Sequence, residues 1–379
     1  MSARIYLDNN ATTGVDPCVL EAMRSELTAI PSNPSSSHYF GQQAKNRLQE
    51  ARATIATFLH VKPHEILFTS SGTEGMNLLL RGAFPDKIQG HVISSNVEHP
   101  CVTNTLLDLQ KKGLSVTFLP AGPRGALLPE QVQAAIRPDT RFITLSAVNS
   151  ETGVKHDLNA IGEIALSAGI PLLVDGVAWL GKEEIVIHPG ISGIAFSGHK
   201  IHGPKGVGFV YVRSSFKLSP LITGGGQEGQ MRSGTENLPG IIGLCAAIEL
   251  LKKGLSEAID QMASLRNKLE AGLLSRAAPV VVNGTGPRIC NTCNLSFPEG
   301  PGEDLLIALD MAGIAVSHGS ACSSGALEPS RVLINMGIPH EIAKSAIRFS
   351  LSRNTTPEEI DRAIEVISCI ASKLRTTEK

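Results

Sequence analysis

The sequence predicts an α/β protein in which a mostly parallel sheet is covered by helices and a smaller domain follows. Short apolar segments alternate with amphipathic helical segments from about residue 40 to residue 250, which is typical of parallel sheets. Near residue 255 this alternation gives way to a long helical stretch followed by fewer strands. The 379 residues are 42% hydrophobic and 18% charged, so the chain can bury a sizeable core.

Seven strands are expected in the first part of the chain. They are Ile66–Thr69, Val92–Ser94, Ser115–Leu119, Phe142–Ser146, Leu172–Val174, Ile194–Phe196 and Gly206–Val212. The last of them follows its predecessor closely enough to pair with it in the antiparallel sense. Most of the others are separated by helical segments and are therefore expected to run parallel.

Helices are predicted where apolar residues recur at three- and four-residue steps. In Gln43–Phe58, Ala44, Leu48 and Ile55 fall on one face. The other main predictions are Asp157–Ala168 with Asp157 as its N-cap, Ser256–Leu274, and a final helix from Pro357 to about Leu374.

Composition excludes several classes of function. The net charge is −1 and the aromatic fraction 4%, so neither a field that attracts nucleic acid or anionic membrane nor a base-stacking surface is expected. No apolar stretch reaches the ~18 residues of a membrane span, and the first residues lack the apolar segment of a secretory signal. We therefore expect a cytoplasmic protein. The seven scattered cysteines do not resemble a disulfide framework, and Cys290 and Cys293 are interpreted as strand residues rather than metal ligands.

Two polar residues follow predicted buried strands. Lys200 lies just after Ile194–Phe196, at the edge where open α/β sheets bind ligands, and a half-buried lysine can form a Schiff base with an aldehyde. Asp175 ends another buried strand and needs a cationic partner, which a protonated pyridine nitrogen would supply. The alternatives are a surface lysine in a loop and an aspartate that caps the following turn.

Ser70–Glu74 lies between a predicted strand and a predicted helix. Small hydroxyl side chains and exposed backbone N–H groups at such a helix start are suited to phosphate. An ordinary helix start with Thr73 as the N-cap is the alternative, and both interpretations can hold together.

Cys322 lies in the small, polar segment Ser320–Gly325. An exposed cysteine in such a segment can act as a nucleophile. A cysteine protease and a bystander thiol are the alternatives, although a protease would leave Lys200, Asp175 and the Ser-Gly-Thr turn unexplained.

In order and spacing, a set of segments along nearly the whole chain resembles one known family. These segments are Tyr6–Thr13, Asn33–Ser36 with His38, Ser71–Glu74, Glu98–His99, Val174–Asp175, Ser197–Lys200, Gly203–Gly206, Gly224–Gly226, Met231–Thr235, Gly319–Cys322, Leu327–Ser330 and Ile347–Ser350. The family is that of the cysteine desulfurases of the NifS/IscS type, within the class V aminotransferases and the fold-type I enzymes that use pyridoxal 5′-phosphate (PLP). The resemblance implies a large PLP-binding domain over 15–255 with a mostly parallel seven-stranded sheet. It also implies a smaller α+β domain, made of 1–14 and 256–379, that carries the catalytic cysteine loop.

The same resemblance implies a role for each matching residue. Lys200 would hold PLP covalently and move protons, His99 would stack on the ring and act in acid–base steps, and Cys322 would receive the sulfur. Asp175 would pair with the pyridine nitrogen. The other cofactor-binding residues would be Gly72, Thr73, Ser150, Ser197, His199 and, from the partner subunit of a homodimer, Thr235. The substrate-binding residues would be Arg348 and Asn10, with Arg348 gripping the carboxylate through a bidentate fork.

The implied reaction takes sulfur from L-cysteine and gives alanine and a persulfide on Cys322. The persulfide would pass to a sulfur-acceptor protein, such as an iron–sulfur scaffold. Other readings stay open: a selenocysteine lyase, another fold-type I enzyme such as an aminotransferase, or a degenerate, non-catalytic scaffold.

Three positions depart from the family's pattern. Ala178 stands where a glutamine usually bonds the phenolic oxygen of the cofactor, Ser150 replaces an asparagine, and His318 stands where a small residue is common. We expect these departures to affect the rate and the protonation state of the cofactor rather than the class of reaction.

Overall fold

The computed structural model describes residues 4–299, 302–319 and 328–377. Within them the strands form sheets of seven, three and two strands. The strands are β1 (Ile5–Tyr6), β2 (Ile66–Thr69), β3 (His91–Ser95), β4 (Ser115–Leu119), β5 (Thr140–Ser146), β6 (Leu172–Asp175), β7 (Ile191–Ser197), β8 (Gly208–Val212), β9 (Val281–Val282), β10 (Thr292–Ser296), β11 (Ile314–Ala315) and β12 (Ala346–Ser350). The α-helices are α1 (Pro17–Leu27), α2 (Tyr39–Phe58), α3 (Gly72–Gly82), α4 (Pro100–Lys111), α5 (Pro129–Ala135), α6 (Leu158–Ala168), α7 (Leu238–Arg276), α8 (Gly302–Met311), α9 (Arg331–Asn335), α10 (His340–Lys344) and α11 (Pro357–Thr377).

The seven-stranded sheet has the order β2-β8-β7-β6-β5-β3-β4. The pairs among β4, β3, β5, β6 and β7 are parallel, whereas β8 is antiparallel to both β7 and β2. The predicted α/β class, the seven predicted strands and the antiparallel pairing of the last one are therefore confirmed. Every residue of β6 is buried, as expected for a parallel strand that is covered on both faces.

Local capping explains where two of the helices begin. Asp157 accepts a hydrogen bond from the Ala160 amide at 3.0 Å, which confirms the predicted N-cap of α6. Helix α2 begins at Tyr39, four residues before the predicted start, because the His38 side chain caps it by accepting from the Gly41 amide. Its apolar face, with Ala44, Leu48 and Ile55, is buried as predicted.

Helix α7 differs most from the sequence-based expectation. It starts at Leu238 rather than Ser256, and it runs for 39 residues with a non-helical Gly254 in its interior. The segment before Gly254 is apolar on most of its faces, so it shows little helical periodicity in the sequence. Its residues Ile241, Leu244 and Ile248 are buried in the core around the large sheet.

A second core joins the two ends of the chain. Ile5 and Leu7 pack in it with residues from the second half of α7, from β10 and β12, and from α11. Strand β1 pairs in parallel with β11, and β12-β10-β9 form a separate antiparallel sheet. The strand predicted for Cys290 and Cys293 is present as β10, which contains Cys293; the interpretation of Cys290 as a strand residue is wrong, because Cys290 lies in the turn before β10. The predicted final helix is present as α11. The domain limits 15–255 and 256–379 stay a prediction.

Nowhere in the described ranges does the structure contain a helix whose length and apolar character would suit a bilayer crossing.

Candidate active site

The carboxyl ends of β6 and β7 border a cavity of about 740 Å³. This is the edge at which open α/β sheets bind ligands. Ten of the residues singled out in the sequence line this one cavity, although they come from distant parts of the chain. They are Asn10, Gly72, Thr73, His99, Ser150, Asp175, Ser197, His199, Lys200 and Arg348.

Lys200 is half-buried in the cavity wall. It ends the short 3₁₀ turn Gly198–Lys200 that follows β7 directly. Its Nζ donates a hydrogen bond to the carbonyl oxygen of Ala11 at 2.8 Å and another to that of Asn10. Its own carbonyl accepts from Nζ of Lys182 at 3.0 Å. The amine is therefore held in place at the cavity, which does not fit a lysine in a solvent-exposed loop.

Asp175 is the last residue of β6 and is 6% exposed. Its Oδ1 accepts from the Val177 amide at 3.0 Å, and its Oδ2 lies 3.8 Å from Sγ of Cys101. The carboxylate thus does cap the following turn, which was the alternative interpretation. It also lines the cavity, and its pairing with a ring nitrogen stays a prediction.

His99 is the N-cap of α4, and its Nδ1 accepts from the Cys101 amide at 3.1 Å. Burial lowers the pKa of His99, and the nearby positive charges of Lys200 and Arg331 act in the same direction, whereas Asp175 opposes them. The neutral imidazole is therefore favoured near pH 7. A neutral His99 can take up a proton during a reaction.

The start of α3 forms another part of the wall. Its N-cap is Ser71, whose Oγ accepts from the Glu74 amide at 3.2 Å, so the alternative N-cap Thr73 is wrong. A Cβ at Gly72 would lie 2.3 Å from Cγ2 of Val177, so only glycine fits there. The backbone N–H groups at the start of a helix can bind an anion, and Thr73 lies there in the cavity wall.

His199 lies on the same side of the cavity. Burial lowers its pKa to about 4, with contributions from the charges of Lys200 and Lys205. One ring nitrogen, Nδ1, is hydrogen-bonded to Oγ1 of Thr12 at 3.2 Å. A neutral His199 can act as a hydrogen-bond donor to an anion without adding a buried charge.

Arg348, in β12, is 2% exposed. One terminal nitrogen donates to Oδ1 of Asp8 at 2.6 Å, and the other donates to the carbonyl oxygen of Ser150 at 3.2 Å. Its Nε has no hydrogen-bond partner within the described part of the chain, although it is buried. A buried guanidinium with an unmet donor in a cavity wall is suited to a carboxylate ligand.

Asn10 contacts the same carbonyl as Arg348. Its Nδ2 donates to the Ser150 oxygen at 3.0 Å and to Oγ1 of Thr292 at 2.9 Å. The backbone of Ser150 therefore connects the two predicted substrate-binding residues. Ala178, where the family's glutamine is missing, also lines the cavity.

Two of the predicted site residues are not part of this cavity as described. Thr235 lines a separate recess of about 120 Å³ together with Glu228 and Arg232. Its predicted role belongs to the partner subunit of a dimer and stays a prediction. Cys322 lies outside the described residues, but the chain resumes beyond it in the cavity wall, at Glu328 and Ser330.

The cavity also contains ionisable residues that sequence reasoning missed. Glu98 is fully buried, and burial raises its pKa to about 7. Lys182 is also fully buried, which lowers its pKa to about 8. Glu151 accepts a close hydrogen bond from Oγ of Ser330. The sequence did offer a signal for Glu98, because it precedes His99 in one of the segments that resemble the family. Nothing local in the sequence distinguishes Lys182 from a surface lysine.

Comparison with known proteins identifies the family. The aminotransferase class-V model matches residues 5–363. A protein from Nostoc sp. named cysteine desulfurase is 43% identical over 376 residues, which cover 98% of this chain and 94% of that protein. A solved structure of a NifS-like protein has a TM-score of 0.90 at 35% identity and covers 98% of this chain and 100% of its own. Another, named SspA in complex with cysteine, has a TM-score of 0.82 at 32% identity and covers 93% of this chain and 100% of its own. The resemblance predicted from the motifs is thereby confirmed, and this chain belongs to the aminotransferase class-V family, in its cysteine desulfurase group.

Proposed function

We propose that this chain is a PLP-dependent enzyme that converts L-cysteine into L-alanine and collects the sulfur as a persulfide on Cys322. The observation that carries the proposal is the convergence of Lys200, Asp175 and Arg348 on one cavity. An amine, a buried carboxylate and a guanidinium with an unmet donor match the aldehyde, the ring nitrogen and the substrate carboxylate that the reaction brings together.

The residues present fit PLP. The first turn of α3 at Gly72 and Thr73, with Ser197 and His199, would hold the phosphate, and Asp175 would pair with the ring nitrogen. Ser150 would contribute to the same pocket, and Thr235 of the partner subunit would complete the phosphate site. When bound, PLP supplies an electron sink that weakens the bonds at the α- and β-carbons of an amino acid.

Arg348 and Asn10 orient the substrate. With Asp8 and the Ser150 carbonyl already on its terminal nitrogens, Arg348 is fixed in the wall and presents its remaining donor capacity to the α-carboxylate. Fixing the carboxylate and the amino group at the same time places the sulfur end of L-cysteine on the remaining open side. Lys200 and the neutral His99 are available to hold and release protons there.

The sulfur-transfer step needs no external oxidant. The Cys322 thiolate attacks the sulfur of the bound cysteine, so an S–S bond forms while the substrate's Cβ–S bond breaks. The electron pair of the broken bond stays with carbon, which then takes a proton to become the methyl group of alanine. Cysteine and one enzyme thiol are consumed, and alanine and one persulfide are formed, so atoms and electrons balance.

The partners follow from the product. A persulfide is reactive and has to be handed on, so we infer a sulfur-acceptor protein, such as an iron–sulfur scaffold, as the next participant. A homodimer would bring Thr235 of the partner subunit to the phosphate, and a cytoplasmic location is inferred as well. We infer neither direct nucleic-acid binding nor membrane binding.

The test measures both products. Purified protein with PLP is incubated with L-cysteine and a thiol reductant, and sulfide and alanine are quantified; equal amounts of the two are expected. Cys322→Ser should keep the visible absorbance of the bound cofactor and its change on addition of cysteine, yet release almost no sulfide. Cys18→Ser, at an exposed position in α1, is the matched control and should turn over normally. Near-normal sulfide release by Cys322→Ser would contradict the persulfide role.

A further inference from the structure

The cavity wall contains a thiol that the proposed reaction does not use. Cys101 is the second residue of α4 and is half-buried in the wall. Its Sγ lies 3.8 Å from Oδ2 of Asp175, which is within reach of an S–H···O hydrogen bond. The ligand atoms of His99, Cys101 and Asp175 all lie within 4.8 Å of one another.

The surroundings of Cys101 argue against a second sulfur acceptor. The thiolate is the nucleophilic form of cysteine. Burial raises the pKa of Cys101 far above its ordinary value, and the negative charges of Asp175 and Glu98 raise it further. Cys101 therefore stays protonated, and a protonated thiol beside a carboxylate oxygen donates its hydrogen.

We propose that the Cys101 thiol is a positioning residue for Asp175, donating to Oδ2 while the Val177 amide donates to Oδ1. The pair of donors sets the orientation of the carboxylate and moderates its basicity toward the ring nitrogen of the cofactor. The second half of this proposal rests on the proposed function, because it requires PLP in the cavity. The thiol–carboxylate hydrogen bond itself does not.

The expected consequence has a definite sign. A donor on the carboxylate stabilises its negative charge and makes it a weaker partner for a neighbouring N–H⁺ group. Removing the thiol should therefore leave a more basic Asp175, which holds a proton on the ring nitrogen to higher pH.

The geometry allows this effect to be separated from damage to His99. The bond to Nδ1 of His99 comes from the backbone amide of Cys101, not from its side chain. Substitution of the side chain removes the S–H group and leaves the histidine's partner in place.

The first experiment detects the hydrogen bond directly. The S–H stretching band of Cys101 is obtained by infrared spectroscopy of the holoenzyme as the difference between wild type and Cys101→Ala. We expect a band shifted to lower frequency than that of a free thiol, and we expect it to move back in Asp175→Asn, which replaces the charged acceptor. A band at the free-thiol position, or one that Asp175→Asn leaves unmoved, would overturn the proposal.

The second experiment measures the effect on the cofactor. The holoenzyme is loaded with PLP labelled with ¹⁵N in the ring, and the pH midpoint at which that nitrogen loses its proton is followed by NMR. In Cys101→Ala the midpoint should rise by roughly half a pH unit or more relative to wild type. Cys101→Ser, which keeps a donor on a shorter bond, should fall between the two. Cys245→Ala, at a half-buried cysteine that is not part of the cavity wall, should match wild type.

The two experiments distinguish the two proposals. If Cys101→Ala titrates like wild type, the positioning role is wrong, whatever the enzyme's activity. If the infrared result is obtained but the protein does not release sulfide from cysteine, the proposed function fails while the thiol–carboxylate contact stands. Should Cys101→Ala fail to fold, the difference between wild type and Cys101→Ser isolates the same S–H band.

Discussion

The two sides of the cavity are built differently. One side consists of strand ends of the large sheet and the starts of helices that follow its strands. These are Asp175, Ser197–Lys200, and the first turns of α3 and α4. The other consists of residues 9–11, Glu328–Val332 and Arg348, several of which belong to the part of the chain around the second core. The first is held by buried backbone pairing along whole strands. On the second side, the pairing of β12 with β10 holds Arg348, and polar side-chain contacts, such as Ser330 with Glu151 and Arg348 with Asp8, add to it.

This difference separates two tasks. Residues at strand ends are fixed in position by the packing of the sheet. A ligand that they bind is therefore held rigidly, which suits a cofactor that stays in place. The opposite side contains Asn10 and Arg348, the proposed substrate-binding residues. Substitutions on the sheet side should therefore affect cofactor retention, and substitutions on the opposite side should affect turnover while the cofactor is retained.

The largest expected effect is on the sheet side. Lys200→Ala should lose the visible absorbance of bound PLP after dialysis, and its rate of sulfide release should fall by about 10²–10⁴-fold, because the covalent link and a proton-transfer group are both removed. Lys217→Ala, at an exposed lysine, is the control and should behave as wild type. A dialysed Lys200→Ala protein with a wild-type spectrum would mean that another amine holds the cofactor.

On the opposite side, Arg348→Lys should keep the cofactor and lose the substrate. Lysine cannot replace a guanidinium that bonds Asp8 and the Ser150 carbonyl and still has its Nε donor for the substrate carboxylate, so kcat/KM for L-cysteine should fall by roughly 10²–10³-fold. The absorbance of bound PLP should be unchanged. Arg24→Lys, at an exposed ion pair in α1, is the control for replacing an arginine by a lysine and should behave as wild type. Loss of PLP from Arg348→Lys would break the division between the two sides.

Acid should destabilise the protein, in part through a buried histidine on the sheet side. His156 is fully buried beside the end of β5, with Nδ1 bonded to the Ser146 carbonyl at 2.8 Å, and burial lowers its pKa from 6.5 to about 4. Between these values the unfolded chain binds a proton that the folded chain does not, so the stability is present above pH 6.5 and is lost as pH falls toward 4. The contribution of His156 is at most ~3 kcal/mol.

Unfolding in urea at several pH values checks this expectation. His156→Gln, which cannot be protonated, should show a smaller loss of unfolding free energy between pH 7 and pH 5 than wild type does. His64→Gln, at an exposed histidine, should follow the wild-type curve. Identical pH dependence of His156→Gln and wild type would show that other groups set the acid sensitivity.

The smallest expected effect concerns Ala178. A hydrogen bond to the charged phenolic oxygen of PLP is worth roughly 1.5–3 kcal/mol, and Ala178 supplies no donor for it. Ala178→Gln should favour the ionised oxygen and move the pH midpoint of the cofactor's absorbance accordingly. Ala178→Met has a similar size without an amide and controls for crowding beside Trp179. If Ala178→Gln folds, binds PLP and titrates like wild type, another group already serves that oxygen.

Much of the fold, and the placement of Asp175 and Lys200 at the cavity, could be predicted from local patterns. Strand β6 is a run of four buried residues that ends in Asp175, and β7 leads directly into Lys200, so burial and strand ends alone place both residues at one edge. The predicted start of α7 is wrong because a helix segment that is apolar on most faces shows no clear periodicity in the sequence. The alternative N-cap of α3, Thr73, is wrong because Ser71 and Thr73 are both good capping residues. Only the backbone geometry distinguishes them.

The sequence by itself determined the alternation of strands and helices, the positions of Asp175 and Lys200 at strand ends, and the motifs that identify the family. Periodicity and capping act over a few residues, so they can be read along the chain. Only the tertiary structure decided which distant groups meet: Cys101 with Asp175, Lys182 with the Lys200 carbonyl, and Ser330 with Glu151. Such contacts depend on how helices and strands far apart in sequence pack together, and a thiol or an ammonium has the same appearance in the sequence whether it ends up in solvent or beside a buried carboxylate.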